Sequence, residues 1–155
     1  MRFRDQGFRP GWQLAYPCGV SLDWQTGELA DGLGCYRRGE FWFAHEHWEK
    51  VWLRLQEPEK SFLQAMIQTT AAFHHVAAGN MRGAVSLLAK ALRRFESCPE
   101  TFGGIDVARL RAEAEAWLRA LEDGAGARPK AFPQIMPDRA PVQGCGPLRR
   151  SRGLR

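Results

Sequence analysis

The stretch GEFWFAHEHWEKVWLRL, residues 39–55, sets a histidine and two glutamates among large aromatic side chains. His45 and Glu49 are four residues apart, so in a helix they are neighbours on one face. Glu46 directly follows the histidine, whereas His47 and Lys50 point to the opposite side of the helix. An imidazole beside a carboxylate can orient a general base. The candidate catalytic residues are therefore His45, Glu46 and Glu49.

The same residues could also hold a metal ion. The spacing H-E-x-x-E lacks the second histidine of the zinc-protease motif H-E-x-x-H, and two ligands on one helix do not complete a site. His75 on the next predicted helix could supply a third ligand, so a divalent metal would be held by His45, Glu49 and His75. Two alternatives stay open: a small-molecule pocket without metal, and a buried His45–Glu49 pair that fixes how two helices dock.

A second polar face could complete this pocket. The following helical segment carries two glutamines and a histidine on the side opposite its apolar stripe. In an antiparallel hairpin Gln68 comes level with His45, and Gln64 with Glu49. Periodicity alone permits the glutamine face to point toward His45 or toward solvent. The predicted binding residues are Trp42, Trp52, Gln64, Gln68 and His75.

The elements that would position these residues are all helical. Thr26, Pro58 and Asn80 stand where helices should begin, and Gly39 and Gly79 where helices should end. No segment shows strand-like alternation. The pattern predicts an all-α fold with one helix between Thr26 and Gly39 and others at about 40–55, 59–78, 80–96 and 105–121.

An internal repeat suggests how these helices are arranged. With an offset of 40 residues, Gly39 matches Gly79 and Trp48 matches Leu88. Each copy follows another helix, so the repeated unit is a helical hairpin similar to the tetratricopeptide type, although the period is longer. We expect a compact bundle of about five helices, built from two tetratricopeptide-like hairpins plus a C-terminal helix.

Composition divides the chain into three parts. Residues 1–24 are rich in breakers and should form an irregular N-terminal segment, followed by a helical domain at 25–123. Residues 124–155 carry a net charge of +6, so the rest of the chain is nearly neutral. This basic Gly/Pro-rich tail is expected to be disordered. It lacks interleaved aromatics that could stack on bases, which argues against a nucleic-acid partner.

Other features bound the location and the partners. The longest apolar runs fall short of 18 residues, which excludes a transmembrane helix and a membrane partner. The N-terminus has no apolar core of a secretory signal, and the four cysteines are far apart without a CxxC pair. We expect a cytoplasmic protein with reduced thiols, whose partner is a small molecule or another protein.

The motifs also resemble a family of small helical proteins, the domain of unknown function family 309. The resemblance begins at Gly39 and Phe41, with an aromatic pair, Ala-His-Glu, a Glu and a Trp. It continues with Phe-Leu-Gln, Ile-Gln, a histidine, Gly-Asn-x-x-Gly-Ala and Gly-Ile-Asp. The matching residues are Trp42, Ala44, His45, Glu46, Glu49, Trp52, Phe62, Leu63, Gln64, Ile67, Gln68, His75, Gly79, Asn80, Gly83, Ala84, Gly104, Ile105 and Asp106.

The resemblance implies a helical fold and supports treating the His/Glu/Gln cluster as one unit. The family is sometimes labelled "predicted metal-dependent hydrolase". One departure is Phe43, which stands where the family often has an acidic residue. Two functional hypotheses follow: metal-assisted hydrolysis with Glu46 or Glu49 as base, or a non-enzymatic interaction module in which the His–Glu pair is structural.

Overall fold

A computed structural model describes residues 22–124 and 127–138, and this part of the chain is helical. The only strands in the described ranges are two short ones that form an antiparallel hairpin before the last helix. The all-α prediction is confirmed. The elements are α1 Gly27–Arg37, α2 Phe41–Trp52, α3 Glu59–Ala77, α4 Met81–Phe95, β1 Thr101–Phe102, β2 Ile105–Asp106 and α5 Val107–Asp123.

Thr26, Pro58 and Asn80 all stand at the N-caps of their helices as predicted, but among these three only Asn80 caps through its side chain. The side chain of Asn80 accepts the backbone N–H of Gly83 at 3.0 Å, and Asp106 accepts that of Arg109 at 2.9 Å. Thr26 stands at the N-cap of α1 but makes no capping bond. Its hydroxyl donates to Asp23 instead, at 2.6 Å. The Thr26 hydroxyl is thus a donor to an ionised carboxylate, which makes a charge-assisted hydrogen bond, rather than an acceptor for the N–H groups of the first turn.

The two ends predicted least well are the end of α2 and the start of α5. Helix α2 ends at Trp52, three residues earlier than predicted, and the next residues form turns. Helix α5 begins at Val107 because Ile105 pairs with Phe102 in the hairpin. Two-residue strands are too short to show alternation, so the sequence gives no sign of them.

Successive helices pack against one another, from α1 on α2 through to α4 on α5. Apolar side chains from all five helices form one continuous core. Its largest fully buried members include Trp48, Phe62, Phe73 and Phe95. None of the described helices has the length and apolar character needed to cross a bilayer.

The connections α1–α2 and α3–α4 have the same backbone geometry. Gly39 and Gly79 have φ of +76° and +78°, a region that glycine enters without steric cost. The N–H groups of Gly39 and Glu40 bond back to the last turn of α1, and those of Gly79 and Asn80 do the same on α3. This is the Schellman pattern of helix termination. The 40-residue sequence offset thus corresponds to a repeated turn.

Part of the predicted disordered tail packs on the bundle instead. Residues 127–138, which we call the C-terminal strap, run across α1 and α5. Tyr36 donates its hydroxyl to the carbonyl of Pro133 at 2.9 Å, and Trp117 donates its indole N–H to that of Ala131 at 3.0 Å. Ile135 is buried. Single apolar side chains placed on an existing hydrophobic surface order this segment despite its composition.

The N-terminal segment also reaches the core where it is described. Leu22 and Trp24 are buried, and the indole N–H of Trp24 donates to the carbonyl of Gly103 at 2.8 Å. Residues 1–21 and 139–155 lie outside the described part, so the predictions of an irregular start and a disordered end are not addressed there. Cys35 and Cys98 are free thiols.

Candidate functional site

His45 lies within a group of rings on the surface of α2. The indole of Trp42 stacks on the imidazole of His45, with centroids 5.4 Å apart and planes 14° apart. The same indole lies 5.5 Å from the ring of His74, on α3. Nδ1 of His45 is buried and has no hydrogen-bond partner among the described residues. Trp42 is half exposed, so this aromatic–histidine group opens to solvent.

Neither predicted glutamate joins His45. Glu46 and Glu49 are exposed. Within the described ranges no hydrogen bond or ion pair links Glu49 to His45. A solvated carboxylate gains little from such a pair, because water already satisfies its charge. The His45–Glu49 pair expected from the spacing is therefore not formed.

The remaining predicted residues are distributed over several environments. Trp52 packs against the ammonium group of Lys60, which lies 4.6 Å from the ring centroid. Nδ1 of His75 lies 3.1 Å from the side-chain nitrogen of Asn80. Gln68 lines a cleft on the α4 side of α3, and Gln64 is half-buried on the same helix. The structure thus brings together Trp42 and His45, whereas Gln68 and His75 have other neighbours.

A different cluster forms where α1 packs on α2, and we call it the α1–α2 cluster. Glu28 and Asp31 come from successive turns of α1, and His47 comes from α2. One ligand atom from each of these three residues lies within 4.8 Å of the others. Nδ1 of His47 hydrogen-bonds to the carboxylate of Glu28. Lys50, one turn further along α2, approaches the same carboxylate at 3.3 Å.

Charge complementarity holds this cluster together. The hydrogen bond from His47 lowers the pKa of Glu28, and Lys50 lowers it further. Glu28 therefore stays ionised at neutral pH and accepts the imidazole N–H. Asp31 adds a second carboxylate that is exposed to solvent. The result is a partly exposed group of two carboxylates and one imidazole.

This donor set suits a divalent transition metal better than the predicted one does. Zinc and related ions accept imidazole nitrogen and carboxylate oxygen together. In the described part of the chain, Glu28, Asp31 and His47 are the only such trio whose ligand atoms converge. The predicted set of His45, Glu49 and His75 does not converge, because Glu49 extends into solvent and His75 lies against Asn80.

The sequence contains a signal for the α1–α2 cluster, although periodicity analysis of α2 alone misses it. Glu28 and Asp31 are three residues apart on α1, as are His47 and Lys50 on α2. Two such pairs face each other when consecutive helices form a hairpin. His47 and Lys50 do lie on the side of α2 away from His45, as predicted, but that side packs against α1, where His47 contacts Glu28 and Lys50 stays exposed.

Comparison of the sequence with known protein families finds one family that matches part of this chain. Residues 29–87 match the family model described as "Domain of unknown function (DUF309)". The resemblance to DUF309 is confirmed. The match covers α2 and α3, most of α1 and part of α4. It includes His47 and Asp31, whereas Glu28 lies just before it.

One curated relative extends this similarity. The chain is 32% identical over 97 residues to an uncharacterized protein of Aquifex aeolicus (strain VF5). The similar region is 62% of this chain and 29% of that protein. The chain thus matches less than a third of the relative's length. Neither the DUF309 description nor the relative's name specifies a reaction.

Proposed function

We propose that the protein binds a divalent metal ion at the α1–α2 cluster and uses it in hydrolysis. The observation that supports this is the convergence of ligand atoms from Glu28, Asp31 and His47 within 4.8 Å. The match to DUF309 specifies no reaction, whereas the label "predicted metal-dependent hydrolase", which the sequence resemblance implies, is consistent with this class of activity.

The arrangement resembles a catalytic metal site more than a structural one. Structural zinc sites use four protein ligands, whereas catalytic sites use three and leave a position for water. Here three ligands converge on a partly exposed surface. A bound metal would supply Lewis acidity and lower the pKa of a coordinated water. The three side chains themselves would hold the ion and fix its place between the two helices.

Catalytic roles for His45, Glu46 and Glu49 stay a prediction. They share α2 with His47, and Glu46 directly precedes that residue in the chain. Glu46 is exposed and forms no ion pair with another described residue. A solvent-accessible carboxylate is chemically suited to accept a proton from water, although adjacent residues on a helix do not face the same side.

Titration of the untagged protein with Zn²⁺ and Mn²⁺ tests the proposal. We expect one metal per chain by calorimetry, and loss of that binding in Glu28→Gln and His47→Gln. Binding should weaken at acid pH, because the metal competes with protons for His47 and Glu28. Lys50→Met should strengthen binding by removing the cation that competes for Glu28.

His45→Gln and Glu49→Gln are the matched controls, since they change the same two chemical groups at positions on α2 outside the α1–α2 cluster. Both should bind metal as the unmodified chain does. Loss of binding in these two variants, with retention in Glu28→Gln, would support the set predicted from the sequence instead. If neither the unmodified chain nor any of these variants binds Zn²⁺ or Mn²⁺ stoichiometrically, the metal proposal is refuted.

A second candidate, a non-enzymatic interaction module, is favoured by exposed hydrophobic side chains on α2 and at its C-cap. Trp42, Phe43 and Leu53 are 50%, 57% and 67% exposed. Trp42 and the C-cap residue Leu53 are eleven residues apart, or about three turns, so both point to a similar side of α2. Such a patch commonly marks a protein contact. Sedimentation experiments test whether this surface pairs with a second copy of the chain. Self-association that is lost in Phe43→Ser and Leu53→Ser would support the interaction module. A monomer at all concentrations would count against pairing with a second copy.

A further inference from the structure

A cleft between α3 and α4, separate from the α1–α2 cluster, contains side chains of one charge sign. Its volume is about 300 Å³, at the lower end of the range for small-molecule sites. None of the residues that line it is acidic. We call it the α3–α4 cleft, and its lining residues are Ser61, Gln68, Lys90, Arg93, Arg94 and Ser97.

The three cations of the cleft have no acidic ion-pair partner among the described residues. Across residues 22–124 and 127–138, none of Lys90, Arg93 and Arg94 forms an ion pair. Like charges held close together repel one another, so an anion placed among them would be bound favourably. Arg93 and Arg94 lie in the last turn of α4, where they also complement the helix dipole. The helix dipole therefore accounts for the two arginines but not for Lys90, which lies before the last turn and lines the same cleft.

Gln68 indicates that a ligand of the cleft should also carry a hydrogen-bond donor. Its Oε1 atom is buried and has no hydrogen-bond partner in the described part of the chain. A buried acceptor without a donor costs free energy, so turning the Gln68 amide to meet a ligand hydroxyl in the cleft would recover a hydrogen bond. The hydroxyls of Ser61 and Ser97 can donate to an anion or accept from a ligand. The cleft therefore combines anion recognition with an acceptor for a neutral donor group.

We propose that the α3–α4 cleft binds a small molecule with one phosphate group and a nearby hydroxyl. Lys90, Arg93 and Arg94 recognise the phosphate, and Gln68 accepts a hydrogen bond from the hydroxyl. A phosphomonoester carries nearly two negative charges at neutral pH, so it matches three cations better than a single carboxylate does. Guanidinium groups also present paired donors that fit phosphate oxygens.

Calorimetric titration of the full chain with glycerol 3-phosphate and with inorganic phosphate tests this site. We expect saturable binding of both, with glycerol 3-phosphate the tighter ligand. Arg94→Gln should weaken binding of both ligands by about tenfold, the effect of losing one charge-assisted hydrogen bond. Gln68→Ala should weaken glycerol 3-phosphate selectively and bring its affinity close to that of phosphate.

Arg82→Gln is the matched control, because it removes the same charge from the other end of α4 and Arg82 does not line the cleft. It should leave both affinities unchanged. Equal loss in Arg82→Gln and Arg94→Gln would indicate a general charge effect and overturn the site. Binding to phosphatidic acid vesicles but not to glycerol 3-phosphate would also overturn it, as would no saturable binding of either soluble ligand.

Discussion

At the scale of single residues, Trp48 fixes how α1 packs on α2. Its side chain is fully buried, and its indole N–H donates to the carbonyl of Leu29 at 3.2 Å. The ring contacts those of Trp24 and Tyr36, at centroid distances of 5.9 and 6.0 Å. This approach is permitted by Gly32, since a Cβ there would lie 2.4 Å from Nε1 of Trp48.

Gly32→Ala should therefore destabilise the protein by about 2 kcal/mol or more, because overpacking moves a ring that has no free space. Gly34→Ala is the control on the same helix. A Cβ at Gly34 would meet only the end of the Arg38 side chain, at 3.3 Å, and alanine favours helix by about 1 kcal/mol over glycine. Urea denaturation of both variants measures the difference. Similar stabilities would show that Trp48 can move without cost.

A second residue-scale prediction concerns pH. The pKa of Glu28 is lowered in the folded protein, first by His47 and then by Lys50. Its ionised form thus stabilises the fold above the unfolded-state pKa, and this contribution is lost as pH falls through the folded-state pKa. Glu28→Gln should be less stable than the unmodified protein at pH 7, and the difference should be smaller at pH 3, where more of the Glu28 carboxylate is protonated. Denaturation at both pH values checks this; a difference independent of pH would exclude the ion pair as its source.

At the scale of elements, the two glycine turns determine where α2 and α4 begin. An alanine at Gly39 would meet no atom within 4 Å, so the cost of Gly39→Ala comes from the backbone alone. That cost is about 1–2 kcal/mol for a left-handed conformation. Gly39→Asn should cost less, since asparagine tolerates this region. Melting temperatures in the order glycine, asparagine, alanine would confirm the turn, and equal values would contradict it.

The helices could be predicted because each carries local signals. Asn80 and Asp106 cap α4 and α5 as their side-chain chemistry indicates, and the apolar stripe of α3 is buried. Which polar face meets which helix could not be predicted the same way. His47 faces α1 rather than solvent, and Gln68 faces the α3–α4 cleft rather than His45. Periodicity defines the faces of one helix, whereas pairing depends on the neighbours of that helix.

At the scale of the whole molecule, the C-terminal strap completes the core. Phe132 stacks on Trp117 with centroids 5.0 Å apart and planes 8° apart. It also lies 4.7 Å from the ring of Phe41 and 4.8 Å from that of Phe73. These rings come from α2, α3 and α5, so a single side chain connects three helices. Composition could not reveal this, because isolated Phe132 and Ile135 form no periodic pattern.

Phe132→Ala should lower the free energy of unfolding by about 2–3 kcal/mol, since the truncated side chain leaves the aromatic cluster unfilled. Met136→Ala is the control within the strap, because Met136 is 63% exposed and surface truncations change stability by about 0.5 kcal/mol or less. Guanidinium denaturation distinguishes the two. An unchanged stability in Phe132→Ala would mean that the strap contributes nothing to the bundle.

The hydroxyl of Tyr36 bonds to a carbonyl 97 positions later in the chain. A ribosome makes the first of these residues long before the second. All five helices therefore leave the ribosome before the segment that shields Phe41, Phe73 and Trp117. Until that segment emerges, these three aromatic rings are exposed on the nascent bundle, and exposed hydrophobic surface of this kind can be bound by chaperones.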